Sequence, residues 1–79
     1  RLDLSGNAIG DAGAKMLAAC PDVAGLRSLD LSGTDLGYAG ACALADSPHL
    51  GRLRTLTVGD NPRLPADGVA VLRERFPTG

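Results

Sequence analysis

Catalysis would need a base, a nucleophile or a metal-ligand set, and the residues that could supply them do not form one. The single histidine, His49, lies in the stretch Ser47-Pro48-His49-Leu50 and reads as a turn residue rather than a general base. Asp30-Leu31-Ser32-Gly33 places an aspartate where a G-x-S-x-G nucleophile elbow needs its first glycine. Gly10-Asp11-Ala12-Gly13-Ala14-Lys15 has neither the length of a phosphate-binding loop nor a hydroxyl after its lysine. Asp60-Asn61-Pro62 lacks the alternating ligands and closing glutamate of a calcium loop. The other aspartates are scattered at turn-like positions, where Asp bonds local backbone. The expectation is a non-enzymatic chain with no metal and no cofactor.

Recognition chemistry is the remaining option, and it is confined to residues that alternate with leucines. Arg1, Asp3 and Ser5 alternate with Leu2 and Leu4, and Ser28, Asp30 and Ser32 with Leu29 and Leu31. Thr55, Thr57 and Gly59 alternate with Leu56 and Val58, and Arg52 and Arg54 precede them. A period of two puts the polar members of each set on one face of a strand. The resulting strip is small, polar and mildly acidic, with Arg52 and Arg54 as a charged rim. The candidate partner-binding residues are therefore Asp3, Ser28, Asp30, Ser32, Thr55, Thr57, Arg52 and Arg54. A solvated face and an evolved contact surface both fit this strip, because it has no aromatic or arginine anchor at its centre.

The elements that position the strip follow from a repeat. Leu2, Leu29 and Leu56 are 27 apart, as are Leu4, Leu31 and Val58, and Asn7, Thr34 and Asn61. In the last unit one extra residue in Asn61-Pro62-Arg63-Leu64 moves the step to 28, so that Leu64, Gly68 and Leu72 follow Leu36, Gly40 and Leu44. After each alternating stretch the period changes. Gly13, Ala14, Leu17 and Ala18 recur at helical spacing, with Asp11 placed to cap that helix and Pro21 to end it. Each unit reads as strand, turn, helix, turn, and stacked units form a parallel sheet with the helices outside. The small residues Gly13, Gly40 and Gly68 are expected to let neighbouring helices approach. Asn7, Thr34 and Asn61 fall at the corner leaving each strand, where an inward amide bonds turn backbone of its own and the adjacent unit. Thr34, with one hydroxyl, predicts a less firmly tied middle corner.

Size and charge limit the partners. A chain of 79 residues is one small domain, and a chain this short buries only about 60% of its unfolded surface. The net charge is −1, and no Trp and a single Phe and Tyr are present, so neither the basic surface nor the stacking rings of a nucleic-acid binder are available. Charge is uneven, at −3 over residues 1–50 and +2 over residues 51–79. Cys20 and Cys42 lack the spacing of a redox or metal pair and fit a reducing compartment. No run approaches the ~20 apolar residues of a membrane span. The reading is a cytoplasmic protein that contacts neither membrane nor nucleic acid.

The pattern LxxLxLxxN, present as "LRSLDLSGT", "LRTLTVGDN" and a shortened "RLDLSGN", resembles the leucine-rich repeat. The unit length and "IGDAGAKMLA" resemble its ribonuclease-inhibitor-like class, and "SPHLGRLRTL" and "VLRERF" are similar to bacterial leucine-rich proteins with a repeat-companion domain. The resemblance implies an α/β fold, a right-handed solenoid or horseshoe arc of about three strand-turn-helix repeats (residues 1–25, 26–52 and 53–79) with a parallel concave sheet. It implies a protein partner held on that sheet. Thr34 in place of Asn, Tyr38 at the position of Asp11, and Val58 in place of Leu depart from the pattern. The chain starts inside a repeat, and Arg73, Glu74 and Arg75 interrupt the last apolar stripe, so it is expected to be the C-terminal part of a longer array.

Three functions fit: a protein-interaction module, a structural C-terminal cap of a longer array, or a regulator of a partner enzyme such as a nuclease or small GTPase. The uncovered N-terminal edge beside Leu2 and Leu4 also offers a route to self-association.

Overall fold

The computed structural model describes residues 1–76, so the last positions of the expected third repeat, 77–79, lie outside the described residues. Alternation of leucine with polar residues produces three short strands, β1 (Leu2–Asp3), β2 (Ser28–Asp30) and β3 (Thr55–Thr57). Each is followed by a helix: α1 (Gly10–Ala19), α2 (Tyr38–Ala45) and α3 (Ala66–Arg75). A 3-10 turn, Pro21–Val23, follows α1 where proline ends it. The sheet is parallel in the order β1-β2-β3, with Leu2 opposite Leu29, Leu29 opposite Leu56, Asp3 opposite Asp30 and Asp30 opposite Thr57. The fold is α/β, and residues 27 apart in sequence are neighbours in space.

The ladder continues past the strands. Leu31 N–H donates to Thr57 O at 2.8 Å, Gly33 N–H to Gly59 O at 3.0 Å, and Gly6 N–H to Ser32 O at 3.0 Å. The chain then turns through a positive φ at Gly6 (77°), Gly33 (62°) and Asp60 (56°), equivalent positions where glycine is unstrained and aspartate is among the few tolerated side chains.

Helix α2 lies between α1 and α3 on the outside of the sheet. Leu29, Leu31, Leu36, Leu44, Leu50, Leu56 and Leu72 are fully buried between the layers. Burying one such side chain contributes about 1.5–3 kcal/mol. Their first-unit counterparts Leu2, Leu4, Ile9 and Leu17 are only half-buried, since among the described residues that unit has a neighbour on one side alone. The other end is closed differently: Leu72 and Phe76 are buried, and the Arg75 guanidinium lies 4.9 Å from the Phe76 ring centre.

The small residues have a cause beyond close helix packing. A Cβ on Gly13 would lie 2.6 Å from Ile9 Cβ, and one on Gly68 would lie 2.7 Å from Leu64 Cδ1. The apolar residue four positions earlier folds under the first turn of its own helix and occupies the space. Only at Gly40 does the neighbouring helix press equally hard, through Asp11 Oδ1 at 2.7 Å and Ala14 Cβ at 3.1 Å, alongside Leu36 Cδ1 at 2.6 Å.

Two local expectations are corrected. Asp11 does not cap α1, whose N-cap is Ile9 with no side-chain bond. Its Oδ1 instead accepts from Gly37 N–H at 2.7 Å and Gly40 N–H at 3.0 Å, capping α2 in the next unit. The side chain of Asp11 already lies inside the first turn of α1 and projects toward the adjacent helix start. At the corresponding start of α3 stands Pro65, which has no N–H to satisfy, so Tyr38 can occupy the Asp11 position without leaving a donor unpaired.

The second correction concerns the corners. Asn61 donates through Nδ2 to Leu31 O (2.9 Å), Val58 O (3.0 Å) and Gly59 O (3.1 Å), while its Oδ1 accepts from Thr34 N–H and Leu36 N–H, both at 3.0 Å. The Asn61 amide thus ties the corner of the preceding unit as well as its own. The middle corner is firmly held by Asn61, and the deficit from Thr34 appears one unit earlier. Thr34 Oγ1 donates only to Leu31 O in its own turn, at 2.7 Å. Asn7 N–H and Ile9 N–H, which an asparagine at 34 could serve, bond within their own loop.

Candidate functional site

The strand register assembles the polar strip. Asp3, Asp30 and Thr57 form one row across the sheet, and Ser28 and Thr55 pair in the row beside it. The intervening Leu29 and Leu56 point into the core, which forces these residues onto the opposite, solvent-facing side. Ser28, Asp30 and Thr57 are half-buried while Asp3 and Thr55 are exposed.

The strip's two aspartates are partly committed to local structure. Asp3 Oδ1 accepts from Ser5 N–H at 3.0 Å and from Ser5 Oγ at 2.6 Å, and Asp30 Oδ1 accepts from Ser32 N–H at 3.0 Å. Both are turns in which a carboxylate satisfies a backbone donor two residues on. The Ser5 hydroxyl, then its N–H, holds the Asp3 carboxyl below the usual carboxylate range, with Arg1 NH2 3.7 Å from Oδ2 adding to the effect. The Oδ2 atom of each carboxylate takes no part in its turn. The row can therefore accept hydrogen bonds at Asp3 and Asp30 and both donate and accept at Thr57.

Arg52 and Arg54 lie at the end of the sheet where the strands begin, away from the aspartate row. They line an open depression of about 410 Å³ together with Gly51, Leu53 and a residue the sequence reading passed over, Arg27. The signal was present, since Arg27 precedes Arg54 by one repeat length. Arg27 O accepts from Arg54 N–H at 2.7 Å and Thr55 N–H at 3.1 Å, joining the two segments where β2 and β3 start. The sheet thus carries carboxylates toward one end and guanidinium groups at the other.

On the helical side, charge is spent on holding units together. Arg63, supplied by the lengthened third corner, reaches Asp11 Oδ2 at 3.3 Å and Asp35 Oδ2 at 3.2 Å and donates to Asp35 O at 3.0 Å. Burial pushes the Asp11 pKa up, but the Gly37 and Gly40 N–H groups and the Arg63 charge outweigh it and leave the carboxyl below its usual range. Arg75 donates to Leu44 O (3.1 Å) and Ala45 O (2.7 Å), closing the C-terminal end of α2 with a cation as the helix dipole favours. Ser47 donates to Ala18 O at the end of α1, and His49 N–H donates to Ser47 Oγ at 3.2 Å. Ser47 thus serves as a helix-end donor. Among the described residues no group of three or more His, Cys, Asp or Glu side chains could hold a metal ion, and no helix is long and apolar enough to cross a membrane.

Comparison with family models matches residues 1–18 and 26–45 to the leucine rich repeat. The matched segments contain β1 with most of α1, and β2 with α2. Neither the curated proteins nor the solved structures give a match to the chain.

Proposed function

Taking the matched segments as leucine-rich repeats, and residues from Leu53 onward as a third unit whose strand is in register with theirs, we propose that the chain is a protein-interaction module that holds its partner on the exposed face of the sheet. Leucine-rich repeats generally mediate protein–protein interaction. The observation that carries this reading is the row Asp3, Asp30 and Thr57, flanked by Ser28 and Thr55, on the solvent side of a sheet whose other side is buried. Parallel stacking of three units with helices of eight to ten residues outside supports an arc of the ribonuclease-inhibitor-like class, with this sheet on its concave side. The long helical segments favour that class over repeats with irregular outer segments.

The test is affinity capture with the wild-type chain and an Asp30→Arg, Thr57→Arg double variant, after circular dichroism shows that both fold. A protein held by the wild type and lost by the variant supports the sheet as the binding face. Equal capture by both removes it.

A second reading, a closing cap on a longer array, is favoured by the unequal ends. Among the described residues Leu72 and Phe76 are buried although no further unit packs on α3, whereas Leu2, Leu4 and Leu17 are half-open. A terminal repeat must present a finished outer surface while its inner neighbour needs an apolar one. Fusing one further repeat before Arg1 should raise the melting temperature, whereas one fused after the C-terminus should not; equal gains at both ends would discard the cap.

A further inference from the structure

We propose that Arg27, Arg52 and Arg54 form a recognition site for an acidic segment of a protein partner, one presenting at least two aspartate or glutamate carboxylates. The inference rests on the interaction-module reading above and adds to it a second contact region, at the end of the sheet where the strands begin.

Three observations carry it. First, the three arginines line one open depression of about 410 Å³, floored by the buried Leu53 and edged by Gly51, with no acidic side chain in its wall. Second, among the described residues none of these three side chains makes an ion pair or a hydrogen bond, although Arg1 and Arg63 are paired with aspartates and Arg75 is bonded to helix carbonyls. Like charges gathered in one depression without an internal counter-charge repel each other, and carboxylates from outside relieve that repulsion. Third, the positions are fixed by the fold. The bonds from Arg54 N–H and Thr55 N–H to Arg27 O hold the two strand starts together, so Arg27 and Arg54 leave the backbone from adjacent rungs. A guanidinium presents a planar fork of donors that matches a carboxylate bidentately, which a lysine in the same place would not.

The surroundings favour a protein segment over nucleic acid. No aromatic ring lines the depression to stack a base, and the chain as a whole carries a net charge of −1. Thr55 follows Arg54 directly and pairs with Ser28, so the depression lies where β2 and β3 start.

The test is titration of the isotope-labelled 79-residue chain with a ten-residue peptide rich in glutamate and aspartate, with its glutamine and asparagine counterpart, and with a single-stranded oligonucleotide, at low salt. The amide and guanidinium signals of Arg27, Arg52 and Arg54 should shift saturably with the acidic peptide and not with the neutral one. An Arg27→Gln, Arg52→Gln, Arg54→Gln variant, folded by circular dichroism, should bind the acidic peptide at least about tenfold more weakly, the loss expected from removing charge-assisted hydrogen bonds. Shifts that do not saturate, binding retained by the triple variant, or tighter binding of the oligonucleotide at the same residues would each overturn the proposal. The Asp30→Arg, Thr57→Arg variant separates the two readings. It should still bind the acidic peptide even if partner capture fails, so loss at the sheet face and loss at the arginine site are read independently.

Discussion

The carboxylate of Asp11, in the first turn of α1, accepts the backbone N–H of Gly37 at 2.7 Å and so caps a helix that is not its own. The same oxygen takes Gly40 N–H at 3.0 Å, while Arg63 from the third unit reaches its other oxygen. One side chain therefore couples all three units. Replacing a capping Asp by Ala costs about 0.5–2 kcal/mol, and Asp11→Ala should show this as a lower denaturant midpoint with an unchanged slope.

The same site fixes an acid limb. The folded-state pKa of Asp11 lies below its ordinary value of 3.8, so its stabilising contribution is fully present above that value and is lost as pH falls through the lowered folded value. Unfolding midpoints measured from pH 7 down to pH 2 should fall at the acid end for the wild type. Asp11→Asn, which keeps an oxygen acceptor but has no proton to gain, should fall less steeply there.

Asn61 serves buried backbone in two units at once. Asn61→Ala strands Thr34 N–H and Leu36 N–H as well as the carbonyl of Val58, and each unmet buried group costs about 1–3 kcal/mol. Urea unfolding should show a loss of at least about 3 kcal/mol. Asn7→Ala, whose amide bonds only Leu4 O and Ser5 O in an exposed loop, should lose far less.

Thr34→Asn should stabilise the chain. Thr34 is buried and close in volume to asparagine, and an amide there can reach back to Asn7 N–H and Ile9 N–H as Asn61 reaches back to Thr34 and Leu36. A net gain near 1 kcal/mol is the usual yield of one such bond. Hydrogen exchange at Asn7 and Ile9 should slow; unchanged exchange with lower stability would show that the corner cannot take the amide.

Gly40→Ala places a methyl 2.7 Å from Asp11 Oδ1 and 3.1 Å from Ala14 Cβ, so it should loosen both the cap and the α1–α2 contact. Overpacking of this kind costs about 1–3 kcal/mol. Gly25→Ala, which meets nothing within 4 Å, is the matched control and should leave the thermal midpoint nearly unchanged.

Much of the architecture was legible in the order of residues. A period of two ending in a period of three to four, repeated at 27, is enough to give strands, helices and their parallel register, because each unit can bury its leucines only against an equivalent unit. The face carrying Asp30 and Thr57 followed from the same alternation. The partners of the polar side chains were not legible. Asp11 reads as the cap of the helix it begins, Thr34 as a weakness of its own corner, and Arg52 and Arg54 as a rim without Arg27. In each case the decisive neighbour is about one repeat away, and a local reading assigns a side chain to the backbone nearest in sequence. Stacking determines the outcome: adjacent units bring residue i beside residues near i ± 27, and an unpaired helix end or corner there captures the side chain that reaches it. The hydrophobic period by itself set the layers, and only the packed structure decided which charged and polar groups hold those layers together and which are left exposed.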